Sequence, residues 1–216
     1  MATYTAGNLV TILGQQLHDV GQDTWTESLL LTYLSEAQNQ IALLRPEATA
    51  VTDSFTLSTE AKQNIPADGV RFLNCVRNLG QSGVSPGRHI KRISRDEIDG
   101  YYPNWTADRG TTEIKRYIFE NETPRIFWVY PTPSIPLKVE LSYSKAPTQI
   151  VSTATTLGLD DIYISPMLEW TLYRCLSMEA KGASVSLASQ HMSAFYQALG
   201  MAVQIDQIVE KNMIKG

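Results

Sequence analysis

Cysteine is scarce: Cys75 and Cys175 are the only two in 216 residues, far apart and in no CxxC context. That excludes a disulfide-stapled scaffold and makes a reduced compartment the expectation. Histidine is equally thin. His18, His89 and His191 fall in three separate regions, none with a second His or Cys at ligand spacing, so no metal is expected. No apolar run exceeds a few residues, which excludes a spanning helix. Residues 1–20 lack a basic start followed by an apolar core, so no secretory signal is read there. The glycosylation-like Asn104-Trp-Thr106 and Asn121-Glu-Thr123 are accordingly chance matches. GxGxxG, GxxxxGK[ST], HExxH and GxSxG are all missing, as are internal repeats and low-complexity tracts. Cys175 and His191 could pair as nucleophile and base, but Cys175 sits in a strongly apolar segment where a thiol acts as a small hydrophobe. No catalytic residue and no cofactor is expected.

Composition is that of an ordinary globular chain, 43% hydrophobic and 19% charged. The net charge of −4 is unevenly spread. Residues 1–70 hold two basic residues, Arg45 and Lys62, against eight acidic ones. Residues 71–116 hold nine basic against five acidic, among them Arg71, Arg77, Arg88, Lys91, Arg92 and Arg95. This excess is too small for a dedicated nucleic-acid binder. It suits charge-complementary contact between protein faces instead.

Helical spacing marks both ends. A weaker helix is predicted over 6–20, with Leu9, Ile12, Leu13, Leu17 and Val20 apolar. Thr24 and Glu27 have capping-box spacing, and Leu30, Leu34, Ala37, Ile41 and Leu44 follow at steps of four and three until Pro46. After a Thr/Ser-rich linker at 148–158, either Asp160 or Ser165-Pro166 starts a third helix. Its residues 167–179 are apolar nearly all round, so it needs neighbours on several sides. Gly182 breaks it, and Ala188, Met192, Phe195 and Leu199 form the next stripe, ended by Gly200.

Between about 50 and 147 the period changes to that of strands. Runs at 53–57, 70–76, 89–93, 116–119, 125–130 and 137–143 are rich in aromatic and β-branched residues, with turns at 121–124 and 132–136. Short connections argue for an antiparallel sheet. Ser94-Arg-Asp-Glu97 predicts a short helix to Tyr101, in which Asp96, Glu97 and Asp99 offset the dipole rather than form a reactive cluster. The expected architecture is α+β: one domain over 1–200, in which N- and C-terminal helix pairs (6–45 and 160–199) form a four-helix bundle carrying the inserted antiparallel region. Tyr101, Tyr102, Trp105, Tyr117, Phe119, Phe127, Trp128 and Tyr130 interleave with basic residues as in single-strand stacking platforms, so a nucleic-acid-binding module using the basic, aromatic-rich 71–116 region is the alternative function. The near-continuous apolar run at 126–130 favours a covered strand instead.

Certain segments, in order, carry a resemblance. They are Tyr33-Leu-Ser-Glu-Ala-Gln-Asn-Gln-Ile41, Gln63-Asn-Ile-Pro-Ala-Asp68, Ile93-Ser-Arg-Asp-Glu-Ile-Asp99 with Tyr102-Pro-Asn-Trp105, Arg125-Ile-Phe-Trp-Val-Tyr-Pro-Thr-Pro133, Leu141-Ser-Tyr-Ser-Lys-Ala-Pro147 and Glu169-Trp-Thr-Leu-Tyr-Arg174. Over roughly 25–200 the chain resembles the head–tail adaptor (connector) proteins of tailed, especially short-tailed, bacteriophages and is similar to the tail tubular protein A group. The resemblance implies a non-catalytic virion protein, made in the host cytoplasm. It implies a twelve-membered ring joining portal to tail nozzle or tube, through which DNA passes without specific recognition. Trp170 and Tyr173 on the apolar helix, and Arg88 and Arg92 in the basic block, are candidates for subunit contact. Met201, Ile205, Ile208, Val209 and Met213 share one helical face beyond Gly200. The resemblance implies that this segment, 201–216, docks on the portal; the alternative is a helix folded back on its own core.

Overall fold

The computed structural model describes residues 4–80, 82–178 and 182–200, and divides the chain into two compact units. The first combines the two chain ends, up to Ala48 and from Pro147; the second is the intervening Thr49–Ala146. The helical unit contains α1 (Ala6–Gln16), α2 (Glu27–Leu44), α4 (Ile164–Met178) and α5 (Gly182–Ala198). Among the described residues the sheet unit contains ten strands and one α-helix. In chain order these are β1 (Ala50–Thr56), β2 (Lys62–Asn64), β3 (Gly69–Leu79), β4 (Pro86–His89), β5 (Lys91–Arg92), α3 (Arg95–Tyr101), β6 (Arg109–Thr111), β7 (Arg116–Phe119), β8 (Ile126–Tyr130), β9 (Thr132–Pro133) and β10 (Lys138–Lys145).

The α+β class holds, but the expected four-helix bundle does not. Helix α4 packs between α5 and α2, whereas α1 meets the others only lightly. The first helix ends at Gln16: Leu17 still packs on the core, but His18 takes a left-handed φ of 54°, and Val20 beyond it is exposed. Its start is tied instead to the extended 153–157 segment: the Ala6 and Gly7 N–H groups donate to the Thr155 and Thr153 carbonyls, each at 2.9 Å. Four-stranded sheets supply the other main layers of the protein.

In the helical unit, Leu9, Leu13, Leu30, Leu34, Ile41, Met167 and Phe195 are fully buried. The polar linker is fastened to α2 by Gln38, which is itself fully buried. Its Nε2 donates to the Thr148 carbonyl at 3.1 Å, and its Oε1 accepts from the Gly158 N–H at 2.6 Å. Such pairing is what a buried amide requires. Helix α4 is entered through a 3₁₀ turn at 161–163 whose cap is Asp160, accepting from the Ile162 N–H at 3.5 Å.

The sheet unit holds two four-stranded sheets, ordered β1-β10-β3-β4 and β2-β8-β7-β5, and a two-stranded piece, β6-β9. Most pairs are antiparallel as expected; β5–β7 and β6–β9 run parallel. Phe72 stacks on Phe127 at 4.6 Å in a core completed by Cys75, Ile90, Ile114, Val129, Val139 and Leu141. Burial pushes the Cys75 thiol up to about 12, so it packs as a hydrophobe. At the unit's two ends, Thr49 Oγ1 and Ser144 Oγ lie 2.7 Å apart in a buried hydrogen bond, one residue from the first rung between β1 and β10.

Candidate assembly surfaces

Sequence period decides which basic side chains gather. In β5, Lys91 lies opposite Arg116 of β7 and Arg92 opposite Tyr117, so alternation sends the two neighbours to opposite faces. Lys91 and Arg116, with Arg88, His89 and Lys115, line a groove of about 670 Å³. Its apolar lining is Ile93, Ile98, Tyr102 and Tyr130. The Tyr102 and Tyr130 rings stack at 6.1 Å. Burial, with the Asp108 carboxylate bonded to it, holds the Tyr130 hydroxyl above the usual tyrosine range.

Strand β4 reaches this groove by lying close on β3. A Cβ at Gly87 would come within 2.9 Å of the Asn78 carbonyl oxygen, so that approach requires glycine. The register shifts between Arg77 and Leu79. In the gap, Asn78 turns its side chain to the Arg88 carbonyl and to both backbone groups of Ile114. His89 Nδ1–H donates to the Val76 carbonyl at 2.7 Å, which leaves Nε2 for the groove side of the ring.

The expected contact candidates thus part company. Arg88 lines the groove and pairs with Glu113 at 3.6 Å. Arg92 donates to the Phe119 carbonyl at 3.2 Å and borders a separate depression with Arg95. Arg95 lies 4.1 Å above the Trp128 ring and 2.8 Å from Glu120, so that aromatic face is covered rather than offered for stacking. Asp99 accepts from Trp105 Nε1 at 2.7 Å, a structural use of the acidic cluster. Ser94 caps α3 as its spacing predicts, accepting from the Glu97 N–H at 3.2 Å.

In the helical unit, Trp170 and Tyr173 are half-buried and edge to face at 5.3 Å, with Phe195 at 5.0 Å from Trp170. The Trp170 indole N–H is covered and without an acceptor among the described residues. His191 faces Glu169 at 2.7 Å. Residues Met201, Ile205, Ile208, Val209 and Met213 lie outside the described residues. Among those described, no three His, Cys, Asp or Glu side chains gather as metal ligands, and no helix is long and apolar enough to cross a membrane.

The sequence reading passed over one feature, the 18–27 loop. The Asp19 carboxylate accepts from the N–H groups of Asp23, Thr24 and Trp25 at 3.0, 3.0 and 2.7 Å. The Trp25 bond foremost holds that carboxyl below the usual aspartate range. The predicted Thr24–Glu27 capping box is therefore replaced, and Thr26 takes the cap position of α2. The signal was an Asp eight residues ahead of the helix start, easily lost among acidic neighbours.

Residues 4–212 match the family described as SU10 adaptor protein. No curated protein matches the chain.

Proposed function

The chain belongs to the SU10 adaptor protein family, and is thus a structural adaptor of a bacteriophage; from that premise we propose that it forms a ring joining portal to tail. The observation that carries this reading is the reach of the family match, 4–212, across both units and not one of them. The ordered resemblance to short-tailed-phage adaptors, similar to the tail tubular protein A group, points the same way and brings twelve copies with it. In this reading DNA traverses the ring, a portal protein lies above and a nozzle or tube protein below, and the protein is a virion component without catalytic duty. A conformationally closed contact between unlike faces of one chain generates such rings. Segment 201–216, with Met201, Ile205, Ile208, Val209 and Met213 as anchors, is the proposed portal-docking element.

Light scattering and negative-stain microscopy of purified protein, alone and with portal, test this. Rings seated on portal are the expected result; a chain that neither self-associates nor binds portal overturns it. The basic, tyrosine-edged groove favours one other reading, a nucleic-acid-binding module. Duplex binding at physiological salt separates the two.

A further inference from the structure

Resting on the ring reading, we propose that the basic groove of one copy receives the 18–27 loop of the next copy. Lys91 and Arg116 are register partners, with Lys115 and Arg88 beside them. Like charges placed opposite one another on a sheet are destabilising. Glu113, on Arg88, is the one carboxylate in ion-pair range of these four among the described residues. The groove is therefore a concentration of positive charge over an apolar lining that still calls for an anion.

The 18–27 loop has the converse make-up. His18 and Gln22 sit at φ of 54° and 56°, left-handed values that non-glycine residues hold only under outside constraint. The three N–H bonds to Asp19 supply that constraint, so the loop is fixed before it meets anything. It displays Val20, 76% exposed, with Asp23 and Glu27 also exposed and neither within ion-pair distance of a cation among the described residues. One apolar knob beside two carboxylates answers one apolar lining beside four cations.

Charge over the whole chain runs the same way. The two ends that form the helical unit carry eleven acidic and five basic residues, a balance of −6; Thr49–Ala146 carries eleven and thirteen, a balance of +2. A rigid segment loses little conformational entropy on docking. A contact between two different faces repeats from copy to copy, as a ring needs.

Zero-length carbodiimide cross-linking of full-length chain, mixed from isotopically heavy and light stocks, tests the contact. Amide links from Asp23 or Glu27 to Lys91 or Lys115 are expected between heavy and light copies. Two charge-reversed proteins complete the test, Lys91→Glu with Arg116→Glu and Asp23→Lys with Glu27→Lys. Each alone should self-associate about tenfold or more weakly, and mixing them should restore assembly, because each then offers what the other's partner face lacks. That rescue also shows both variants to be folded. Wild-type rings without those links, or rings indifferent to both reversals, overturn the proposal and leave the ring reading standing. Lost DNA binding in the groove variant with unchanged assembly overturns it in favour of a nucleic-acid site. A wild-type chain that never self-associates, with or without portal, overturns both.

Discussion

Asn78 grips the backbone of Ile114 from both sides: its Nδ2 donates to the Ile114 carbonyl at 2.7 Å while its Oδ1 accepts from the Ile114 N–H at 2.8 Å. The same Nδ2 reaches the Arg88 carbonyl at 3.0 Å. One buried amide therefore joins β3, β4 and the 112–115 turn, and with them the residues on either side of the basic groove. A carboxamide is the side chain able to donate and accept at one site in this way.

Asn78→Ala strands two buried backbone groups of Ile114 and should cost about 2–3 kcal/mol. Urea denaturation followed by tryptophan fluorescence measures it. Asn78→Asp should cost at least as much, because a carboxylate cannot donate to the two carbonyls and brings a charge into the core.

Asp19 makes stability depend on acidity with a definite sign. Its folded-state affinity for protons is lowered, so its stabilisation is present above the unfolded aspartate value and fades as pH falls through the folded one. Asp19→Ala should melt at a lower temperature than wild type at pH 7. The gap should narrow from about pH 4 downward, as the wild-type carboxyl itself protonates. Thermal melts across a pH series check this; a constant gap would mean that the carboxylate charge contributes nothing.

Free protein should bind duplex DNA weakly at physiological salt, with a dissociation constant on the order of 10 μM or above. The salt slope should be shallow, since four cations shared with Glu113 neutralise few phosphates. Fluorescence anisotropy over a salt series measures both. Tight binding with a steep slope would move the groove to the nucleic-acid reading.

Deleting residues 201–216 should leave the thermal midpoint unchanged while abolishing portal binding. The described end of α5 is already closed. Phe195 and Leu199 are buried, Arg45 donates to the Leu199 carbonyl through Nε at 3.0 Å and through Nη2, and Gly200 turns at φ +66°. A truncated chain that melts much lower would place the deleted segment in the core instead.

Helix α2 and strands β7, β8 and β10 were legible because each is long or aromatic enough for its period to stand out. Strands β2, β6 and β9, two or three residues each, carry no period at all. The parallel pairing of β5 with β7 joins Lys91 to Arg116 across a stretch that local spacing does not span. For that reason residues 71–116 read as a single basic block, although the fold sends Arg88 and Lys91 to the groove, Arg92 and Arg95 elsewhere, and Arg77 to Glu140 at 2.8 Å. The four-helix bundle was not legible from spacing, because α1 ends at Gln16 and packs only lightly on the other helices, and nothing in the composition around His18 announces the left-handed turn that follows. Ser94 was legible since its partner, Glu97, is three residues away.

The hydrogen bond between Thr49 and Ser144 bears on the order in which the chain folds. Helices α2 and α4 must meet although roughly a hundred residues separate them, and a loop of that length resists closure. When β1 has zipped onto β10, the strand ends beside Ala48 and Pro147 are already neighbours. The effective loop shrinks from about 120 residues to roughly twenty, and the entropic barrier to helix docking falls by about 1.5 kcal/mol. The inserted strands in this sense bring together the two chain ends from which the flanking helices start.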